Sequence, residues 1–185
     1  MGMSKDDPVH IEEYSSEWPR RFVALGRRLR STLGPVALRI DHIGSTAIPG
    51  LAAKPIIDVQ VSVSRLSPED DFKIPLEACG YVWREDNPDL TKRYFRESPG
   101  DQRTHIHVRQ AGSWPEQFAL LFRDYLRSAA DERSLYEETK RRLAERFRHD
   151  RQAYTEGKEP VIWEIMQSAT SWSQNTGWSA PVTDV

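Results

Sequence analysis

Hydrophobic residues follow a helical period at the start of the chain and a strand period after it. Five large apolar residues fall on one stripe: Trp18, Phe22, Leu25, Leu29 and Leu33. This spacing marks one face of a helix, so we predict a helix over residues 16–34, with Ser16 as its cap and Gly34 at its end. Alternation of apolar and polar residues then predicts strands over residues 36–43 and 55–63.

The residue pattern in the middle of the chain predicts one helix and three short strands. Ser67 and Pro68 open a helix that closes at Gly80, and "YVW" follows as a short strand. Two alternating segments, "TKRYFR" and "RTHIHVR", are joined by the turn-rich "ESPGDQ". We therefore predict a β-hairpin here, and an α+β fold for the chain.

The C-terminal part returns to a helical period. "SWPE", which begins at Ser113, has the form of a capping box and predicts the start of a helix. Further helices are predicted over about residues 131–149 and 158–172. We interpret the charged runs "KRRLAER" and "RHDR" as a solvated helix face. Residues 173–185 are polar and without pattern, which predicts a disordered tail.

Length and composition limit the function classes. A chain of 185 residues suits one compact unit, here an α/β core over residues 10–112 with C-terminal helices over residues 113–172 packed on it. A net charge of −2 argues against nucleic acid or an anionic membrane as the main partner. A single cysteine, Cys79, and the lack of a membrane-length apolar run or signal peptide favour a cytoplasmic protein. The oligomeric state stays open.

The segment "HIGSTAIPGLAAKPIIDVQV" carries the first candidate chemistry. Asp58 and Gln60 share one strand face, and a Gly-Ser loop leads back toward them, so the loop amides, Ser45 and Asp58 are predicted to converge on one ligand. A carboxylate in the middle of a valine-rich strand needs a partner. The alternative is a structural ion pair between Asp58 and Lys54, Arg93 or another buried arginine.

Two histidines form the second candidate. His105 and His107 are two apart on a predicted strand and face the same way, a spacing that allows joint metal ligation or a shared phosphate contact. The alternative is a pair of histidines on a polar sheet face without a ligand. The neighbouring "KRYFR" supplies Lys92, Arg93 and Arg96.

Two loop residues receive other roles. Ser45 lacks the Gly-x-Ser-x-Gly surroundings of a nucleophile, so phosphate or metal contact suits it better. His42 precedes the loop and is interpreted as a residue that braces it.

These motifs resemble a known family. "HIGSTAIPGLAAKPIIDVQV", "THIHV", "FRDYLR", "YEETKRRLA" and "AYTEGK", in that order, resemble the GrpB family over roughly residues 10–172. The resemblance implies a bacterial protein with a nucleotidyltransferase-like mixed β-sheet, flanking helices and a C-terminal helical segment. It implies that Gly44 and Ser45 match the phosphate-binding Gly-Ser loop of that superfamily, and that Asp58 matches its first metal-binding carboxylate.

The chain departs from the superfamily pattern at two places. Gln60 stands where a second acid is expected, and His105 and His107 stand on the strand where a third acid is expected. One carboxylate and an amide hold Mg²⁺ weakly, whereas a carboxylate with two imidazoles suits Mn²⁺, Fe²⁺, Zn²⁺ or Ni²⁺. We therefore expect a divalent metal, Mg²⁺ or Mn²⁺ or another transition ion.

The resemblance and the motifs together predict a metal- or phosphate-binding small-molecule enzyme that carries out nucleotidyl transfer or related phosphoryl chemistry. Asp58, His105 and His107 are the expected catalytic residues and metal ligands. Seven residues are expected to contact phosphate or nucleotide: Gly44, Ser45, Thr46, Lys54, Lys92, Arg93 and Arg123.

Two alternatives remain open. One is a non-catalytic module that binds a nucleotide or a partner near coenzyme A metabolism. The other is a non-nucleotidyl enzyme of specialised metabolism in which a histidine of the same cavity acts as acid or base.

Overall fold

A computed structural model of the chain describes residues 8–185. Its helices and strands, in chain order, are α1 (Glu17–Leu33), β1 (Arg39–Ile43), β2 (Ile57–Val63), α2 (Asp70–Ala78), β3 (Tyr81–Trp83), β4 (Lys92–Glu97), β5 (Thr104–Gln110), α3 (Trp114–Ser128), α4 (Ala130–Arg146), α5 (Arg151–Glu156) and α6 (Glu159–Thr176). Short 3-10 turns lie at Gly34–Val36 and Ser45–Ala47. Within residues 8–185, no helix is both long enough and apolar enough to cross a membrane.

The five strands form one mixed sheet in the order β1-β2-β5-β4-β3. β2 and β5 run parallel, and the other neighbours run antiparallel. The prediction of an α+β fold is confirmed, as is the hairpin of β4 and β5. The first strand starts at Arg39 rather than at residue 36, because the 3-10 turn at Gly34–Val36 occupies the preceding residues.

The two faces of the sheet have different roles. One face is apolar and packs against α1 and α2, with Val59, Val61, Ile106 and Val108 among its fully buried residues. Burial of these side chains supplies the main hydrophobic stabilisation of the fold. The other face carries polar side chains of β2 and β5: Asp58, Gln60, Ser62, His105, His107 and Arg109.

The C-terminal helices lie over part of the polar face. A second apolar cluster joins Ile48 and Leu51, of the loop after β1, to Leu126, Tyr136 and Ile165 of the helices. The helices thereby hold this loop beside the start of β2.

The start of α3 differs from the predicted capping box. Ser113 precedes the helix but makes no side-chain cap hydrogen bond. The fully buried Glu116 accepts hydrogen bonds from the Ser62 hydroxyl and, at 2.7 Å, from the Gly112 amide. Glu116 therefore ties α3 to the polar face of β2, an interaction that the local sequence does not reveal.

The C-terminal end also differs from the prediction, because residues 173–185 were expected to be disordered. α6 continues to Thr176, and the segment after it lies along the edge strand β1. The Thr183 hydroxyl accepts from the Ile40 amide at 2.9 Å, and the Asp184 carboxylate accepts from the His42 amide at 2.8 Å. The physical reason is that an edge strand presents unpaired amides, which polar side chains of the tail satisfy.

Candidate functional site

The parallel pairing of β2 and β5 brings the predicted acid and histidines together. Asp58 lies opposite His105 in the register, and Gln60 lies opposite His107. Asp58 Oδ1 is 3.1 Å from His105 Nδ1 and 3.4 Å from His107 Nε2. The alternative ion pair with Arg93 is not formed, because the guanidinium of Arg93 contacts Glu69 at 3.0 Å.

The histidines determine the charge of the acid. Burial by itself raises the pKa of the Asp58 carboxyl, but the hydrogen bonds from His105 and His107 outweigh it and hold that pKa well below its usual range. Burial lowers the pKa of His107 to about 4, although Asp58 opposes this shift. At neutral pH the site therefore contains a carboxylate and a neutral His107.

The Gly-Ser turn lies directly against this carboxylate. Gly44 has a φ of 71°, and a Cβ atom at this position would lie 2.6 Å from Asp58 Oδ2. Glycine is needed both for the backbone conformation and for the close approach. His42 was predicted to brace this loop, and its Nε2 is 3.0 Å from the Thr46 hydroxyl. That hydroxyl donates to the Ile56 carbonyl at 3.0 Å.

A cavity of about 330 Å³ opens beside these groups. It is lined by Gly44, Ser45, Thr46, Ala53, Lys54, Ile56, Asp58, His105, His107, Phe122, Tyr136, Lys140, Tyr154, Thr155 and Lys158. Among these described residues Asp58 is the only acid, whereas three are lysines. Lysines thus outnumber carboxylates among the described lining residues of this cavity.

The three lysines disfavour one another's charged forms. Burial, followed by repulsion from Lys158, lowers the pKa of Lys54 to about 8 and that of Lys140 to about 7. Burial also lowers the pKa of Lys158. The Lys54 and Lys158 ammonium nitrogens each lie 4.9 Å from the centre of the Tyr154 ring, on which both stack as cations. Such a cavity favours a bound anion, because an anion relieves both desolvation and repulsion.

Sequence reasoning missed Lys140 and Lys158. Lys140 was interpreted as part of a solvated face, but it is 2% exposed, and its ammonium donates to the Ala52 carbonyl. The available signal was its position four residues after Tyr136, a buried residue on the same helix face. The local sequence around Lys158 offered no comparable signal.

Three predicted phosphate contacts lie elsewhere. Arg93 pairs with Glu69, and Lys92 Nζ is 3.2 Å from Asp89 Oδ2, outside the cavity lining. Arg123 is 1% exposed and is held by three oxygens: the His42 carbonyl at 3.0 Å, Asp184 at 2.9 Å and Asp124 at 2.7 Å. Its buried charge is already paired within the fold, so the expectation that Arg123 contacts phosphate is corrected to a structural role.

Gln60, the residue in place of the second acid, is also structural. It is fully buried, donates to the Glu116 carbonyl at 3.3 Å and accepts from Arg109 at 3.2 Å. Its amide therefore joins β2 to α3 and β5, and it does not line the cavity.

The acid and histidines fit a divalent transition ion. Ligating atoms of Asp58, His105 and His107 lie within 4.8 Å of one another, so one ion can contact all three. When both histidines donate to Asp58, the remaining ring nitrogens, His105 Nε2 and His107 Nδ1, are buried without a hydrogen-bond partner among residues 8–185. Two imidazoles and one carboxylate suit Mn²⁺, Fe²⁺, Zn²⁺ or Ni²⁺ better than Mg²⁺, which prefers oxygen ligands.

Comparison with known sequences identifies bacterial relatives. The model of the GrpB protein family matches residues 8–168. A UPF0157 protein of Pseudomonas aeruginosa is 38% identical over 168 residues, which are 89% of this chain and 69% of the relative. A dephospho-CoA kinase of Mycolicibacterium paratuberculosis is 35% identical over 92% of this chain, but the match spans only 48% of that longer protein.

Solved structures give the same fold. The crystal structure of GrpB from Enterococcus faecalis matches with a TM-score of 0.80 and 31% identity, over 88% of this chain and 99% of that one. The poly(U) polymerase Cid1, in complex with its short product ApU, matches with a TM-score of 0.51 and 17% identity, over 74% of this chain and 43% of that one. At this identity the second likeness shows the fold alone, which is that of the nucleotidyltransferases.

Proposed function

Because this chain belongs to the GrpB family, whose fold is nucleotidyltransferase-like, we propose that it binds a phosphate-bearing small molecule in the cavity. The leading candidate is a nucleoside triphosphate, and the proposed chemistry is transfer of a nucleotidyl or related phosphoryl group. A divalent ion held by Asp58, His105 and His107 would supply charge neutralisation at the phosphate oxygens.

One observation carries this proposal: three lysines line the same cavity as a carboxylate and two histidines. A polyphosphate with a divalent cation has the complementary pattern of charge, because its oxygens pair with ammonium groups and its cation pairs with the carboxylate. Lys54, Lys140 and Lys158 would bind the phosphates. Gly44 and Ser45 would position the ligand beside Asp58, since the turn lies against that carboxylate.

Binding is tested by thermal unfolding of metal-stripped protein with ATP, GTP, CTP or UTP, each with Mg²⁺, Mn²⁺ or Zn²⁺. A ligand at 100 times its Kd stabilises the native state by about 2.7 kcal/mol, which raises the Tm of a domain of this size by roughly 5–10 °C. We expect such a rise for at least one nucleotide with a transition ion, and we expect Lys140→Gln and Asp58→Asn to remove it.

Lys73→Gln is the matched control. Lys73 stacks on Trp83, with its nitrogen 4.4 Å from the ring centre, and does not line the cavity. The proposal is refuted if no nucleotide and metal combination raises the Tm, or if Lys73→Gln reduces the response as much as Lys140→Gln.

A second candidate is binding without turnover, and the structural role of Gln60 favours it. Because Gln60 is buried against Glu116 and Arg109, the cavity has a single carboxylate among its described lining residues. Incubation of the protein with the stabilising nucleotide separates the two candidates. Release of pyrophosphate or of a nucleoside monophosphate that depends on Asp58 supports the enzyme, whereas unchanged nucleotide in the presence of varied acceptors supports a binding module.

A further inference from the structure

A second group of cations lies at the same end of the sheet as the cavity. We call Arg96 in β4, Arg103 before β5 and Arg151 at the start of α5 the arginine cluster. Arg96 lies opposite His105 in the strand register. Arg103 and Arg151 are close enough to Lys54 to oppose its charge, after burial and Lys158, and so contribute to its lowered pKa. The arginine cluster therefore borders the cavity without being part of its lining.

The arginine cluster carries more positive charge than its one carboxylate partner neutralises. Glu97 Oε1 is 2.8 Å from Arg103 Nε and 3.1 Å from Arg96 Nη2, so one carboxylate is shared between two guanidinium groups. Among the ion pairs of residues 8–185, two positive charges of the cluster remain beyond that carboxylate. An excess of this size, held on β4, α5 and the residue before β5, is complementary to a dianion.

Several guanidinium nitrogens of the arginine cluster also lack a hydrogen-bond partner among residues 8–185. Arg96 Nε, Arg103 Nη2 and Arg151 Nε are buried, and none has a hydrogen-bond partner among residues 8–185. A buried donor without a partner has lost its hydrogen bonds to water without gaining others, which is unfavourable. Several buried guanidinium donors without a partner are what a tetrahedral anion with several acceptor oxygens requires.

We propose that the arginine cluster binds a phosphate group of the ligand that is separate from the phosphates bound by the lysines. This inference rests on the proposed function of the cavity, and it narrows the substrate class to molecules with phosphates at two positions. A phosphate monoester is favoured over a carboxylate, because it carries about two negative charges near neutral pH and three terminal oxygens.

The first arm of the test measures inorganic phosphate binding to metal-free protein by NMR titration, with the side-chain Nε–H signals of the three arginines as probes. We expect phosphate to shift these signals, and we expect Arg103→Gln and Arg151→Gln each to weaken binding at least tenfold. Arg103→Lys, which keeps the charge but loses the planar fork, is expected to restore part of the affinity.

Arg142→Gln is the matched control, because it removes the same charge from an exposed position on α4. Circular dichroism and thermal unfolding establish that each variant is folded. The proposal is overturned if phosphate leaves the arginine signals unchanged, or if folded Arg103→Gln and Arg151→Gln proteins bind phosphate as the Arg142→Gln protein does.

The second arm distinguishes a ligand phosphate from a free phosphate ion. We expect adenosine 3′,5′-bisphosphate to bind at least tenfold more tightly than adenosine 5′-monophosphate, and we expect Arg103→Gln to abolish that difference. If the bisphosphate gains nothing while inorganic phosphate binding still depends on Arg103, the cluster takes a free anion and the inference of a two-phosphate substrate is overturned.

Separate experiments test the proposed function and this inference. Lys140→Gln is expected to reduce nucleoside triphosphate binding but to leave the inorganic phosphate response of the arginine signals intact. Absence of triphosphate binding with a normal phosphate response would refute the proposed function of the cavity, whereas the opposite pattern would refute the arginine cluster as an anion site.

Discussion

Replacement of Lys140 by Met should change how the stability of the protein depends on pH. Lys140 is 2% exposed, and burial, with repulsion from Lys158, lowers its pKa from 10.5 to about 7. In the unfolded chain its ammonium keeps the proton until about pH 10.5. Between pH 7 and pH 10.5 the unfolded state therefore binds more protons than the native state, so the free energy of unfolding rises with pH in this window.

The magnitude follows from the size of the pKa shift. A shift from 10.5 to about 7 corresponds to about 5 kcal/mol over the whole window, of which about 2 kcal/mol falls between pH 7 and pH 9. The Lys140→Met protein lacks this contribution. Its unfolding free energy should therefore rise by about 2 kcal/mol less than that of the parent over the same interval.

Urea unfolding at pH 7 and pH 9 measures this difference. With an m-value of about 2 kcal/mol/M, the parent midpoint should rise by about 1 M more than the variant midpoint. The variant loses the hydrogen bond from Lys140 to the Ala52 carbonyl at both pH values. Its contribution to the free energy of unfolding therefore cancels when the two pH values are compared. Equal rises in the two proteins would show that Lys140 keeps an ordinary pKa, and the account of a cavity destabilised by its own cations would then be wrong.

Three further predictions concern the surroundings of the site. Gly44→Ala should weaken Mn²⁺ binding at least tenfold in calorimetry, because its Cβ would lie 2.6 Å from Asp58 Oδ2; an unchanged Kd would contradict the close approach. Asp184→Asn should lower the free energy of unfolding by about 1–3 kcal/mol in urea, because it weakens the pairing of buried Arg123; equal midpoints would contradict that role. Gln60→Glu should destabilise the protein by a similar amount without tighter Mg²⁺ binding, and a gain in Mg²⁺ affinity would show that residue 60 reaches the metal site.

The strands that hold the acid and the histidines could be predicted from alternation alone. Asp58 on β2 and the pair His105 and His107 on β5 each follow from a period of two. Their meeting depends on the parallel pairing of β2 with β5, which links residues almost fifty positions apart. No local pattern contains that pairing, and the family resemblance was needed to suggest it.

Charged residues were the least predictable part. Arg123 and Lys140 lie in helices with many charged neighbours, so the sequence assigned one to phosphate and the other to solvent, yet both are almost fully buried. Burial of a charge depends on partners far away in the chain, such as Asp184 for Arg123 and the carbonyl of Ala52 for Lys140. The tail was mispredicted for the same reason, since its polar side chains complete the hydrogen bonds of an edge strand.

Two parts of the chain line the cavity, and they contribute different ionisable groups. The sheet contributes the carboxylate and the histidines, whereas the helices and the turn between α5 and α6 contribute Lys140 and Lys158. Separation of the helices from the sheet would let these lysines regain water, so their lowered pKa values oppose docking. The anion proposed for the cavity would reverse that balance, because it would pair with the lysines only while the helices are docked. Under the proposed function, anion binding and packing of the helices on the sheet would therefore be thermodynamically coupled, and the anion would stabilise the arrangement that binds it.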